Sequence, residues 1–190
     1  MIQYGYRPEF HSKPPLMLHP WQNLASNSPR IAEAVQSLLQ KNAVRLVDLS
    51  RDGQGFYSHL FVVPKKSGGL RPVLNLSALN KYVRNHQFRM ETNRSVIAAV
   101  QPDDWMISID LKDAYFHIAI HPECHRYFRF VANGKVYEYT ALPFGLSTAP
   151  RIFTSIVNVP VGALHKMAVK LHPHLDDWLV RDTHLSLIHI

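Results

Sequence analysis

Three carboxylates with apolar neighbours are the residues of this sequence best suited to chemistry. Asp110 ends the run Ile-Ser-Ile-Asp, and Asp176 and Asp177 lie between a leucine and a tryptophan. A carboxylate in such surroundings costs free energy unless a counter-charge neutralises it. Magnesium can do so, because it prefers one or two carboxylates together with phosphate oxygens of a substrate. If the two segments are neighbouring strands, Asp110 and Asp176 can hold two metal ions about 3.5–4 Å apart, which activate an attacking oxygen and stabilise a leaving one.

The same residues allow plainer interpretations. An Asp-Asp pair is most often part of a turn, and Asp110 by itself can pair with an arginine. Spacing along the chain does not decide between these alternatives and a metal site.

Basic residues cluster at the tip of a predicted hairpin. Two segments rich in β-forming residues, 59–63 and 70–76, flank a Ser-Gly-Gly turn. Lys65, Lys66 and Arg71 crowd the tip of this hairpin. Arginine presents a planar fork and lysine a mobile point charge, so the tip suits phosphate oxygens. It equally suits a solvated hairpin end.

Hydrophobic periodicity and turn residues predict the elements that position these side chains. They are a helix over 29–41 capped by Ser28, the hairpin above, a helix from Thr92 to about Val100, a strand over 105–111, a hairpin of 127–131 and 136–140, a helix after Pro150, and a hairpin of 169–175 and 178–180 with Asp176 and Asp177 at its bend. Pro160 and Gly162 predict that the helix after Pro150 kinks or ends within about three turns. Residues 1–28 show no sustained period and predict an extended arm. This order of elements favours an α+β fold over a doubly wound parallel sheet.

Composition narrows the class of protein. The 190 residues are 46% hydrophobic and 18% charged, which argues against a disordered or fibrous chain. Lys and Arg number 21 against 14 Asp and Glu, and the resulting charge of +7 favours a polyanionic partner. One cysteine forms no internal disulfide and no thiolate zinc site. With no long apolar run and no signal-peptide core, we expect an intracellular protein, cytoplasmic or nuclear, without a membrane partner.

Six short motifs lie one after another between Phe56 and Val180. They are Leu60-Phe61-Val62-Val63-Pro64-Lys65-Lys66, Leu70-Arg71-Pro72-Val73, Leu79-Asn80-Lys81, Ser108-Ile109-Asp110-Leu111-Lys112-Asp113-Ala114-Tyr115-Phe116-His117-Ile118, Leu142-Pro143-Phe144-Gly145-Leu146-Ser147-Thr148-Ala149-Pro150-Arg151 and Leu175-Asp176-Asp177-Trp178-Leu179. Each motif is a modest signal, but the ordered set resembles reverse transcriptases, specifically those of DIRS-type or gypsy-like retroelements.

This resemblance implies a right-hand polymerase made of fingers and a partial palm, an antiparallel sheet with packed helices and no thumb. The implied divisions are an N-terminal arm over 1–28, fingers over 29–88 and 117–148, a partial palm over 89–116 and 149–184, and a tail over 185–190 that matches nothing in the family and is interpreted as non-native. Later palm strands, the primer grip and a ribonuclease H domain would belong to a longer polyprotein.

The resemblance also implies roles for matching residues. Asp110, Asp176 and Leu111 match the ligands of two magnesium ions, for which manganese can substitute, and Asp177 matches a supporting catalytic carboxylate. The residues implied to bind the incoming nucleotide are Lys65, Lys66, Arg71, Asp113, Ala114, Tyr115, Phe144 and Gly145. Among these, Tyr115 matches an aromatic gate against ribose, and Phe144 and Gly145 match a motif that lies along the template and the nucleotide.

The implied reaction is attack of a primer 3′-hydroxyl on the α-phosphorus of a deoxynucleoside triphosphate, directed by an RNA or DNA template, with pyrophosphate leaving. The expected protein is therefore a retrotransposon RNA-directed DNA polymerase, a nucleotidyltransferase, in truncated form; its protein partners are not predicted. A second hypothesis is an inactive remnant that at most binds nucleic acid, motivated by the truncation and by His174, where the family usually has tyrosine. A metal-dependent phosphohydrolase is disfavoured, because no residue is placed to activate water.

Overall fold

The computed structural model describes residues 4–20, 25–64 and 69–184. In chain order its strands and helices are β1 (Ala25–Ser26), α1 (Pro29–Gln40), β2 (Val44–Leu46), α2 (Leu49–Asp52), β3 (His59–Pro64), β4 (Leu70–Asn75), α3 (Ser77–Asn80), α4 (Asn93–Ala99), β5 (Trp105–Asp110), β6 (Arg129–Ala132), β7 (Lys135–Tyr139), α5 (Ala149–Lys166), β8 (Lys170–His174) and β9 (Asp177–Asp182). Helices and mainly antiparallel sheets alternate along the chain, so the predicted α+β class is confirmed. Within the described residues, no helix has the length and apolar content needed to cross a bilayer.

The chain divides into two compact units. The first unit consists of the described residues up to Asn85 together with Tyr115–Ala149, and the second consists of His86–Ala114 together with the described residues from Pro150 onward. The finer boundaries expected from the family resemblance, including the arm and the tail, stay predictions.

The first unit is built on α1 and two sheets, one in the order β1-β6-β7-β2 and the other the β3–β4 hairpin. The Oγ atom of Ser28 accepts a hydrogen bond from the amide of Ile31, and a proline opens the helix, as the sequence predicted. One face of α1 is buried through Ile31, Ala34, Val35 and Leu38. This apolar face ties the helix to the strands of both sheets.

The N-terminal segment 4–20 is extended and hydrogen-bonded to the first unit. The amide of Tyr6 donates to the carbonyl of Ala119 at 2.7 Å, and the amide of His121 donates to the carbonyl of Tyr6 at 2.9 Å. Further along, Met17 and Gly55 exchange a pair of backbone hydrogen bonds, both at 2.9 Å. The segment therefore completes the backbone hydrogen bonding of neighbouring loops.

The second unit contains a three-stranded antiparallel sheet in the order β5-β9-β8 together with α4 and α5. Thr92 caps α4 through a reciprocal capping box with Ser95, close to the predicted start of that helix. Of the two outcomes predicted from Pro160 and Gly162, an end of α5 within three turns is wrong, because α5 runs for 18 residues through Pro160, whereas a kink stays a prediction. Pro160 is exposed, so water can satisfy the carbonyl that proline leaves unpaired, while buried Val157 and Val161 hold the helix on either side.

Candidate active site

The three candidate carboxylates lie at one end of the sheet in the second unit. Asp110 ends β5 and is directly opposite Asp177, the first residue of β9. The amide of Leu111 donates to the carbonyl of Asp176 at 2.8 Å. Since hydrogen-bonded and non-hydrogen-bonded pairs alternate in an antiparallel ladder, Asp110 and Asp177 form a non-hydrogen-bonded pair, with Cα atoms about 4.5 Å apart and side chains on the same face.

The bend of the β8–β9 hairpin lies one residue earlier than the sequence predicted. Leu175 and Asp176 form the two-residue turn, and Asp177 already pairs with His174 across the strands. Leu175 has a φ of 52°, a left-handed conformation that leucine rarely adopts. The strained turn holds Asp176 at the tip and leaves Asp177 on the sheet face that carries Asp110.

Among the described residues, no basic side chain neutralises these carboxylates. In the part of the chain that the structure describes, no ion pair involves Asp110, Asp176 or Asp177, and all three residues are exposed. The alternative in which Asp110 pairs with an arginine is therefore not observed. Over the same residues, no three His, Cys, Asp or Glu side chains converge closely enough to hold a metal ion by themselves. Two or three adjacent carboxylates do fit the donor set of magnesium when substrate phosphates complete the coordination.

The first unit holds a second group of candidate residues, made of aromatic rings and a tight loop. The rings of Tyr115 and Phe144 have centroids 5.0 Å apart, and the ring of Phe116 lies 5.5 Å from that of Phe144 in an edge-on arrangement. Gly145 follows with a φ of 103°, a conformation that favours glycine. A Cβ atom at this position would lie 2.6 Å from the carbonyl oxygen of Leu74. The backbone of this loop therefore lies so close to Leu74 on β4 that only glycine, which has no Cβ atom, fits at position 145.

Comparison with known proteins decides the family. The family model described as reverse transcriptase (RNA-dependent DNA polymerase) matches residues 63–186, well over half of the chain. The chain belongs to the reverse transcriptase family. It is 32% identical over 118 residues to the Transposon Tf2-3 polyprotein of Schizosaccharomyces pombe, and over 107 residues to the Transposon Tf2-7 polyprotein of the same yeast. The matched regions are 62% and 56% of this chain but only 9% and 8% of those polyproteins, so the chain spans a small part of the length of these relatives.

Solved structures of viral reverse transcriptases share the fold. The foamy viral protease-reverse transcriptase in complex with double-stranded DNA matches with a TM-score of 0.72 and 20% identity, over 87% of this chain and 28% of that protein. The same viral enzyme in complex with an RNA/DNA hybrid matches with a TM-score of 0.67 and 22% identity, over 84% and 20% respectively. The architecture is therefore that of polymerase fingers and palm.

The structure places the sequence-predicted residues of this reverse transcriptase domain in two groups. Asp110, Leu111, Asp176 and Asp177 meet in the second unit, where Asp113, with a φ of 55°, and Ala114 also lie. Arg71, exposed on β4, belongs to the first unit with Tyr115, Phe144 and Gly145. Lys65 and Lys66 lie outside the described residues, as does the tail 185–190. The assignment of each residue to catalysis, metal or nucleotide stays a prediction.

His174, the main departure from the family pattern, is held by the backbone. Its Nδ1 atom lies 2.8 Å from the carbonyl oxygen of Glu91 and must donate to it. The ring is half-buried and pairs across the hairpin with Asp177. Replacement of the usual tyrosine therefore leaves the hairpin that carries both aspartates intact.

Sequence reasoning assigned no role to Asn80, although this residue contacts the Gly145 loop through both ends of its side-chain amide. Its Nδ2 atom donates to the carbonyl of Gly145 at 2.9 Å, and its Oδ1 atom accepts from the amide of Ser147 at 3.0 Å. The partners are more than 60 positions apart, so no local period or turn signal could reveal them. The sequence pointed to Asn80 only because Leu79-Asn80-Lys81 is one of the six motifs that resemble the family.

Substituting Gly145 by alanine should displace this loop. The new methyl group would clash with the carbonyl oxygen of Leu74 in a backbone conformation unfavourable for alanine, at a cost of about 1–3 kcal/mol. The free energy of unfolding from urea titration measures this cost. Gly134→Ala is the matched control, because Gly134 also has a positive φ but has open space around its Cβ position. Equal destabilisation by both substitutions would show that the close approach to Leu74 is unimportant.

Proposed function

We propose that this chain forms the fingers and partial palm of an RNA-directed DNA polymerase from a DIRS-type or gypsy-like retrotransposon, and that it extends a primer by deoxynucleotides. The observation that carries the proposal is the register of β5 and β9, which puts Asp110 opposite Asp177 and hydrogen-bonds Leu111 to Asp176. A divalent cation bound there would offset the repulsion between the neighbouring carboxylates of Asp110 and Asp177. The six ordered motifs support the retroelement subtype, and the relatives are retrotransposon polyproteins.

In this proposal, Asp110, Asp176 and the backbone carbonyl of Leu111 hold two magnesium ions, or manganese in their place, and Asp177 supports them. Bound there, the metal would favour deprotonation of the primer 3′-hydroxyl and neutralise charge on the α-phosphate and the leaving pyrophosphate. The β5–β9 ladder fixes the backbone of Asp110 and Asp177, so these two residues are already side by side before substrate arrives.

Most residues proposed to contact the nucleotide belong to the first unit, whereas Asp113 and Ala114 belong to the second. Arg71, with Lys65 and Lys66, would bind triphosphate oxygens, since a guanidinium fork accepts two of them at once. Tyr115, backed by the ring of Phe144, would occupy the space of a ribose 2′-hydroxyl and so select deoxyribose by steric exclusion. Asp113 and Ala114 would contribute backbone contacts, and Gly145 would let the backbone approach the template and nucleotide.

The proposed partners are a primed RNA or DNA template and deoxynucleoside triphosphates. Nucleic-acid complexes of the viral enzymes with the same fold support the choice of duplex, and a charge of +7 supports binding through phosphates. The cytoplasmic or nuclear setting stays a prediction.

Isothermal titration of a deoxynucleoside triphosphate into the 190-residue chain with a primed RNA template tests the proposal. We expect nucleotide binding that requires magnesium and disappears with EDTA. Affinity for the primed template should fall steeply with salt, by roughly 10³ or more between 50 and 200 mM if six or more phosphates are contacted. Template binding without any metal-dependent nucleotide binding would instead identify an inactive remnant.

A further inference from the structure

The loop Phe144–Thr148, called here the nucleotide loop, is held by side chains rather than by a neighbouring strand. Asn80 accepts from the amide of Ser147 and donates to the carbonyl of Gly145. The hydroxyl of Ser147 donates to Oδ1 of Asn85 at 2.7 Å. Because one partner of the Asn80 side chain is a backbone carbonyl and the other is a backbone N–H, only one orientation of its amide group satisfies both bonds.

The arrangement at Asn80 copies what an adjacent β-strand would do. A residue of a parallel strand offers a donor and an acceptor to the carbonyl and amide of residues two apart, and the Asn80 amide offers the same pair to Gly145 and Ser147. Both loop residues are exposed. Without Asn80, water would be the alternative partner for these two backbone groups and would not fix their position.

Asn80 itself stands on a rigid support. It is the last residue of α3, whose Leu79 side chain is fully buried, and α3 begins directly after β4 and buried Leu76. Gly145 lies against the carbonyl of Leu74 on the same strand. The nucleotide loop is therefore fixed to the base of the β3–β4 hairpin, on the strand that also carries Arg71.

We propose that Asn80 is a positioning residue for the incoming nucleotide. It holds the backbone of Gly145 and Ser147 so that Phe144 keeps its ring against Tyr115 and the loop meets the nucleotide in one conformation. This inference rests on the proposed function, because it assigns Asn80 to the nucleotide site formed by Phe144 and Gly145.

Two substitutions of Asn80 separate its two hydrogen bonds. Asn80→Leu removes both bonds at similar volume, whereas Asn80→Asp keeps an acceptor for the amide of Ser147 and places a carboxylate against the carbonyl of Gly145. The matched control is Asn75→Leu, because Oδ1 of Asn75 accepts from the amide of Ser77 at the start of α3, and this is a bond to α3 and not to the loop. If Asn80→Leu acted only by loosening α3, its effects should therefore be no larger than those of Asn75→Leu.

Three measurements on the full chain distinguish positioning from general destabilisation. Hydrogen exchange of the Ser147 amide, without nucleotide, should accelerate about tenfold or more in Asn80→Leu and stay slow in Asn80→Asp and Asn75→Leu. Affinity for a magnesium-bound deoxynucleoside triphosphate on a primed template should fall about tenfold in both Asn80 variants, as expected from loss of one or two hydrogen bonds. Affinity for the primed template alone should fall less than nucleotide affinity in the Asn80 variants, because the loop is one of many template contacts, and should not change in Asn75→Leu.

The possible failures are distinguishable. Unchanged exchange of the Ser147 amide in Asn80→Leu would overturn the inference at its structural step. Unchanged nucleotide affinity in both Asn80 variants, or an equal loss in Asn75→Leu, would overturn it at its functional step. If the unaltered chain binds no nucleotide while Asn80→Leu still accelerates exchange, the proposed function fails and the nucleotide role of Asn80 fails with it, although the contact stands.

Discussion

Replacing Asp110 with asparagine should lower the rate of single-nucleotide incorporation by about a thousandfold or more. Asparagine preserves the size of the side chain and the end of β5 but removes one of the negative charges proposed to bind metal. The remaining carboxylates, Asp176 at the turn and Asp177 opposite, would hold a divalent cation weakly. Electrostatic stabilisation of this kind supplies a large share of the barrier reduction in phosphoryl and acyl transfer. Rapid-quench extension of a labelled primer on an RNA template measures the rate.

Asp103→Asn is the matched control for this prediction. Asp103 lies in the turn just before β5, is exposed and has a φ of 69°, a conformation that asparagine also tolerates. The substitution removes the same charge from the same unit without touching the carboxylate end of the sheet, and it should leave the rate unchanged. Incorporation at the normal rate by Asp110→Asn would remove this residue from the catalytic site, whatever the family resemblance.

Most of the strands and turns that carry the candidate site could be predicted, because they follow from local patterns of apolar, polar and turn residues. Alternation of apolar and polar residues over 105–111 predicted β5, and its pairing with the strand that follows Asp176 brings the carboxylates together. The turn was placed one residue late because local propensity puts aspartate, not leucine, at positive φ. In the structure the pairing of His174 with Asp177 sets the hairpin register and forces Leu175 into that conformation.

Long-range polar contacts could not be predicted. The partners of Asn80 depend on the close approach of the nucleotide loop to β4, which no local pattern encodes. The burial of Arg129 and Glu138 in the β6–β7 hairpin could not be predicted either. The hairpin was predicted, but both charged residues are only 1% exposed, and charged residues on a strand are usually exposed to solvent. Tertiary packing of neighbouring loops, not strand periodicity, buries them.

Arg129 and Glu138 form the centre of a buried polar network in the first unit. The Nε atom of Arg129 donates to Glu138 at 2.9 Å, and its two terminal nitrogens donate to the carbonyls of Gly53 and Asp52. Arg45 donates to the other carboxylate oxygen of Glu138 at 2.8 Å. Burial lowers the pKa of nearby His125, so this ring stays neutral near pH 7, and the two arginines are the counter-charges of Glu138.

Glu138→Gln should therefore destabilise the first unit by about 3–5 kcal/mol, because it leaves the buried Arg129 guanidinium without its counter-charge. Glutamine has nearly the same volume, so loss of charge and not of packing would account for the effect. Urea denaturation measures the free energy of unfolding, and the loss should persist in 0.5 M salt because a buried pair is weakly screened. Replacing both residues by apolar ones, as in Arg129→Met with Glu138→Leu, should recover much of the stability.

Glu123→Gln provides the matched comparison, since Glu123 pairs with Arg7 at 2.7 Å through side chains that are 69% and 56% exposed. Exposed ion pairs contribute little to stability, so this substitution should hardly move the urea midpoint. Equal effects of the two substitutions would mean that water reaches Glu138 in solution. A loss confined to Glu138 would show that a buried charge pair, far from the carboxylates in sequence, fixes the loops of the first unit.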